Sequence, residues 1–160
     1  MADEWVPAAD GLEVNRHAVA RAGRRLGVTR PISLTWMTAE RMEAQGYSHG
    51  ACGACASSDT DHRIILRRGM SPTETAEIIA HELAHAGQAE QLGAEFAATY
   101  RADGARFERE AWRLVATVTD VETLRRCPPP SRRSPDSTPT PEATRQPGAD
   151  NTSCGSQARR

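Results

Sequence analysis

Two histidines four residues apart flank a glutamate in the run His81-Glu82-Leu83-Ala84-His85. On a helix, positions i and i+4 lie one above the other, so both imidazoles can reach a single metal ion. The glutamate between them can reach a water on that ion and take its proton. The chemistry implied is zinc-assisted hydrolysis, with His81 and His85 as ligands and Glu82 as general base. Two histidines hydrogen-bonded into an ordinary core are the plainer alternative. Against it, an apolar helix face rarely carries a histidine pair for packing alone, because the ring nitrogens need partners.

A catalytic zinc takes three protein ligands and keeps one position open. The candidates for the third are Glu90, Glu95, Glu108 and Glu110. Glu90 follows His85 on the same helix and cannot fold back onto the ion. Glu95 sits just past the expected turn, where a carboxylate is ordinarily solvated. Glu108 and Glu110 belong to a later helix that must pack on the first, and they flank its apolar stripe from either side. Periodicity leaves both open. For a donor to the developing oxyanion, Tyr100, His62 and Tyr47 are candidates. Gln88 is on the side of the helix that carries His81 and can hydrogen-bond near the site.

A second constellation is His49, Cys52, Cys55 and His62, in the order His-x2-Cys-x2-Cys-x6-His. These four residues offer soft or borderline ligands for a second, structural metal site. The spacing matches no common zinc module, and two free thiols in a loop are the alternative. Cys127 and Cys154 read as free thiols. Trp5, Trp36 and Trp112 are too scattered for a stacking platform and are assigned to packing.

The elements that must hold these residues can be read from periodicity. Residues 14–26 have helical apolar spacing, stopped by Gly27. Residues 31–37 alternate, with Ile32, Leu34 and Trp36 on one face, and read as a strand. A short helical turn follows over 38–45. Residues 47–61 are rich in Gly, Ser, Asp and Cys and read as loop or hairpin tip. Residues 62–68 form a second strand, whose arginines suit an edge position. Ser71, Pro72 and Glu74 then spell a capped helix start, and the helix should run to about residue 92. Further helices are expected over 94–100 and 104–125, the last with Phe107, Ala111, Leu114, Val115 and Val118 on one face.

The chain has 160 residues with a formal charge of −1, enough for one domain and without a field that would attract nucleic acid or an anionic membrane. No apolar run approaches the ~20 residues of a membrane span. No secretory signal is visible, and four cysteines then suit a reducing cytoplasmic setting. All 20 basic residues are arginine, a compositional bias that suits a bacterium or its phage. From residue 128 to 160 there is no Ile, Leu, Val, Met, Phe, Trp or Tyr. Such a Pro-, Ser-, Thr- and Arg-rich segment has nothing to offset its ordering entropy, so a disordered tail is expected after a domain spanning 1–127.

His81-Glu82-Leu83-Ala84-His85 followed by Phe107-Glu108-Arg109-Glu110-Ala111 resembles the HExxH…Glu-x-Glu-Ala arrangement of small gluzincin metallopeptidases, including the ImmA/IrrE-like proteins. The resemblance covers roughly residues 31–124. It implies Glu108 as the third zinc ligand, with Glu110 the alternative. It also implies that the strand over 62–68 pairs with an extended peptide substrate beside the zinc. Many members carry Asp or Asn four residues after the ligand glutamate, where this chain has Trp112. SprT-like domains are a poorer comparison, because residues 92–96 offer no histidine and no zinc ribbon follows. The expected protein is therefore an α+β, zincin-like domain: a small sheet with an edge strand beside the HExxH helix, and a C-terminal glutamate helix. The expected function is a zinc peptidase acting on peptide or protein substrates. A non-catalytic, zinc-stabilised binding module is the alternative, although it would have no use for Glu82.

Overall fold

The computed structural model describes residues 5–118 and 124–126 of the chain. In order, the elements are β1 (Trp5–Pro7), β2 (Leu12–Asn15), α1 (Arg16–Arg25), β3 (Ile32–Met37), α2 (Ala39–Ala44), β4 (Gly53–Ser57), β5 (His62–Arg67), α3 (Pro72–Leu92), a 3-10 turn (Gly93–Glu95), α4 (Phe96–Val118) and β6 (Leu124–Arg126). The strands form two three-stranded sheets, β1-β2-β6 and β3-β5-β4. The fold is α+β. The expected tail over 128–160 and the cysteines at 127 and 154 lie outside the described residues.

The helix α3 begins as its sequence dictates. The Ser71 hydroxyl accepts from the Glu74 N–H at 3.2 Å, and the Glu74 carboxylate accepts from the Ser71 N–H at 2.8 Å. With Pro72 in the first turn, this capping box satisfies two donors that the helix start would leave orphaned. These bonds also hold the Glu74 carboxyl below its usual range. Beyond its first turn α3 is buried on nearly every side, from Ile79 to Ala89. One face packs on β5 and β4, and another on α1 and α4. A helix enclosed in this way needs small residues where backbones meet. At Gly87 a methyl would come within 2.2 Å of the Leu26 carbonyl oxygen, so α1 ends directly against α3.

The main core joins Val19 of α1, Ile64 and Leu66 of β5, Ile79 and Leu83 of α3, and Val115 and Val118 of α4. A smaller cluster on the other face of the sheet holds Met37, Met42 and Ile65, with Tyr47, Ala51 and Ala54 against it. It anchors the segment that leads from α2 into β4.

Several expectations are corrected. The strand over 62–68 is central, not an edge: β5 pairs in parallel with β3 and antiparallel with β4. Its run Ile64-Ile65-Leu66 is fully buried, and a strand covered on both faces reads as continuously apolar. The edge beside α3 is β4, in a segment whose Gly, Ala, Cys and Ser residues hid its strand character. The last helix is described to Val118, and Leu124–Arg126, expected at its end, pairs with β2 as a strand. The two helices expected over 94–100 and 104–125 correspond to the two parts of α4, which non-helical backbone at Asp103 separates. At the N-terminus, Val14 belongs to β2, and α1 starts two residues later with Asn15 as its cap.

Candidate active site

Gly93, at φ 55°, ends α3, and the break at Asp103 then turns the chain so that Phe96 and Tyr100 pack on Phe107 and the second part of α4 lies along α3. This path brings Glu108 over the two histidines. His81 Nε2 lies 3.1 Å from His85 Nε2 and 3.1 Å from Glu108 Oε2, and His85 Nε2 lies 3.2 Å from Glu108 Oε1. Among the described residues, His81, His85 and Glu108 are the group of histidine, cysteine and carboxylate side chains able to hold a metal ion. Four ligands about 2.0 Å from a tetrahedral centre sit roughly 3.3 Å from one another, and the two imidazoles and the Glu108 carboxylate, each within 3.1–3.2 Å of the next, are close enough to share one ion.

The His85 tautomer is set by its neighbours. The Gln88 side-chain N–H group donates to the Phe107 carbonyl at 3.3 Å and to Glu110 Oε2 at 3.3 Å. Both partners are acceptors, so the Gln88 oxygen must be the atom that faces His85 Nδ1, at 2.8 Å. His85 therefore carries its hydrogen on Nδ1 and directs the Nε2 lone pair into the cluster, as a metal ligand requires. His81 has no such partner: its Nδ1 is buried without a hydrogen bond. Burial, then the neighbouring His85, push His81 below its usual range and keep it in the neutral form that binds metal. For Glu108, burial acts upward but is outweighed by the Tyr100 hydroxyl and the two histidines, which hold the carboxyl below its usual range. The Tyr100 hydroxyl donates to Glu108 Oε1. Burial and that hydrogen bond push the phenol up to about 12, so it stays a donor. The donor set, its spacing and its protonation fit a divalent metal.

Glu82 lies one position from the cluster, buried between α3 and β4. Burial, with the like charge of Glu108 second, pushes its carboxyl up to about 8. A cation at the cluster acts against both causes. The strand leaves room for this side chain by having no side chain of its own. A methyl at Gly53 would lie 2.9 Å from Glu82 Oε1 and 2.5 Å from Ile78 Cγ2. Around the cluster opens a cleft of about 640 Å³, walled by residues 51–55 on the strand side and by Phe96, Tyr100 and Trp112 of α4 on the other.

Several expected site residues go elsewhere. Glu110 is tied to Gln88, behind His85, rather than to the cluster. Glu90 accepts from the Thr29 and Arg30 N–H groups, each at 2.8 Å, and from His62 Nε2 at 2.9 Å. Burial works to raise its carboxyl, but the Thr29 hydroxyl, which donates to Oε2, and these hydrogen bonds prevail and lower it to about 2. Glu95 is exposed in the 3-10 turn. The second constellation is not gathered. His62 is fully buried, with Ser57 Oγ on Nδ1 at 2.8 Å and Glu90 on Nε2, so both ring nitrogens are taken. His49 is exposed and pairs with Glu43 at 2.7 Å. Cys52 and Cys55 are free thiols lining the cleft, and burial pushes the Cys55 thiol up to about 11. Of the oxyanion candidates, Tyr100 and Tyr47 line the cleft and His62 does not.

The histidines of α3 and the glutamate of α4 lie inside a stretch, residues 38–137, that matches the model of the IrrE N-terminal-like domains, peptidase family M78. The chain belongs to this family. Membership carries a metallopeptidase-type function, with peptides or proteins as substrates. The family match spans α2 to α4 and so contains every residue of the cluster and of the cleft. No curated protein and no solved structure matches this IrrE-like chain. Among the described residues, no helix is long and apolar enough to cross a membrane.

Sequence reasoning missed Gly53 and underrated Gln88 and Trp112. A glycine inside a strand is a known sign of close backbone approach, but the strand itself had not been recognised. Gln88 falls seven residues after His81 and three after His85, a spacing that puts it beside the second ring.

Proposed function

We propose that this IrrE-like chain is a zinc-dependent peptidase of zincin-like architecture, with His81, His85 and Glu108 as metal ligands and Glu82 as general base. The observation that carries the reading is the convergence of the two Nε2 atoms and the two Glu108 carboxylate oxygens at 3.1–3.2 Å, with a buried carboxylate beside them. A zinc ion held there would supply Lewis acidity, lowering the pKa of water and polarising the scissile carbonyl.

The chain's own groups supply the rest. An extended peptide can add to the free edge of β4, whose main-chain donors and acceptors run along the cleft. That edge sets the scissile bond between Gly53 and the cluster. Glu82, held against Gly53, takes a proton from the attacking water on a carboxylate oxygen and passes it to the leaving amine. Gln88 keeps His85 in its metal-binding tautomer, and Tyr100 keeps Glu108 oriented by donating to Oε1.

The test compares wild type with Glu82→Gln. Both should bind about one zinc per chain, and only the wild type should cleave a peptide library. Equal behaviour of the two proteins on every substrate, at equal zinc content, would remove the peptidase reading and favour a zinc-stabilised binding module.

A further inference from the structure

Among the described residues, Trp112 is the one large apolar side chain left exposed, with 49% of its surface open. It stands on α4 one turn after Glu108. Its neighbours Ala111 and Val115 are buried, so the indole projects from the margin of the packed face. The ring lies over the His81 imidazole, with centroids 4.3 Å apart and planes tilted by 38°. It also lines the metal cleft, where residues 51–55 on the strand side contribute small side chains: alanines, cysteines and Gly53. A large apolar ring on one wall, small residues on the other and a metal-binding cluster between them leave a slot beside the reacting position. Exposed indole surface at such a place is favourable to cover with another apolar group.

We propose that Trp112 determines substrate specificity: it packs against a bulky apolar side chain on the residue flanking the scissile bond. The inference rests on the peptidase reading above for the identity of the ligand as a peptide. The contact with His81 holds the indole in place, so the slot is formed before substrate arrives and the preference is built into the free protein. Arg101 is the cation of the cleft lining and would favour an acidic residue instead, which gives the proposal a clear competitor.

Binding rather than turnover separates these. Zinc-loaded Glu82→Gln is titrated against fluorescein-labelled Ala-rich peptides that differ only in one central residue: Phe, Leu, Gly or Glu. Phe and Leu peptides should bind roughly 10- to 100-fold tighter than Gly, from the apolar surface each would cover. Adding Trp112→Ala should collapse that ratio toward one while zinc content stays unchanged. Trp112→Leu, which keeps an apolar cover over His81, should reduce the Phe-to-Gly ratio by a smaller factor. An unchanged ratio in both variants overturns the proposal, as does an equal loss for all four peptides. A preference for the Glu peptide overturns it in favour of Arg101. If wild type cleaves none of the peptides while Glu82→Gln keeps the Phe preference through Trp112, the peptidase reading fails and the Trp112 contact stands.

Discussion

Replacing Gln88 by leucine tests how the cluster is held. The two side chains are similar in size, so packing against Phe107 changes little, but three hydrogen bonds disappear. Two of them, to the Phe107 carbonyl and Glu110, are 3.3 Å long. Glu110 is exposed and can turn to water, and a helix carbonyl has its backbone partner, so neither loss is large. The third bond, 2.8 Å from His85 Nδ1, is buried. Its loss leaves a buried N–H unsatisfied, at a cost of about 1–3 kcal/mol. It also frees His85 to flip tautomer and point a hydrogen at the metal position. Outer partners of metal-binding histidines are worth roughly 10- to 100-fold in affinity. We therefore expect Gln88→Leu to weaken zinc binding by about that factor in a chelator competition, with the fold retained by circular dichroism. Gln88→Glu should keep the affinity, since its carboxylate still accepts from Nδ1–H, yet lower stability because it faces Glu110 and the Phe107 carbonyl. Zinc binding by Gln88→Leu as tight as wild type would refute the claim that Gln88 sets the His85 tautomer.

Further expectations follow from the same geometry. Glu108→Ala should weaken zinc binding beyond the ~100-fold ceiling of an outer partner, while Glu110→Ala stays within it; the reverse order in a competition assay would overturn the choice of ligand. Gly53→Ala should shift β4 or the Glu82 carboxylate, and a misplacement of about 1 Å can cost ~100-fold in rate. The measured kcat should fall by that order with zinc content intact, and an unchanged kcat would contradict the close approach. Glu90→Gln probes pH dependence. With a folded pKa of about 2, below the ordinary 4.5, the ionised carboxylate contributes stability that is complete above about 4.5 and lost as pH falls toward 2. Thermal unfolding of Glu90→Gln should thus lie below wild type at neutral pH, with the gap closing under acid; a gap constant down to pH ~2 would show that the carboxylate's charge is not what matters.

The chemistry-bearing residues were legible because their spacing is local. An i, i+4 histidine pair and a Ser-x-x-Glu cap are fixed by the geometry of one helix, and α3 begins and ends as its sequence indicates. The strand at 62–67 was equally clear as a strand, but its position in the sheet was not. Arg63 and Arg67 suggested an exposed edge, whereas pairing to β3 and β4 is a long-range choice that alternation along one segment does not encode. Glu108 and Glu110 lie on either side of one stripe, and the turn at Gly93 together with the break at Asp103, which set the rotation of the second part of α4 on α3, distinguishes them. His62 looked like a spare ligand because its partners, Ser57 and Glu90, lie on two other elements. Trp112 was assigned to packing since aromatic residues usually pack. That it is half exposed on His81 depends on how α4 crosses α3.

The central claim is that Glu82 moves the proton at a metal site formed by His81, His85 and Glu108. Its most direct test is peptide cleavage by zinc-loaded wild type and Glu82→Gln at matched metal content. Both proteins should hold about one zinc per chain, with cleavage lowered at least ~100-fold in the variant, the scale of a lost general base. Cleavage by Glu82→Gln at the wild-type rate would contradict the claim.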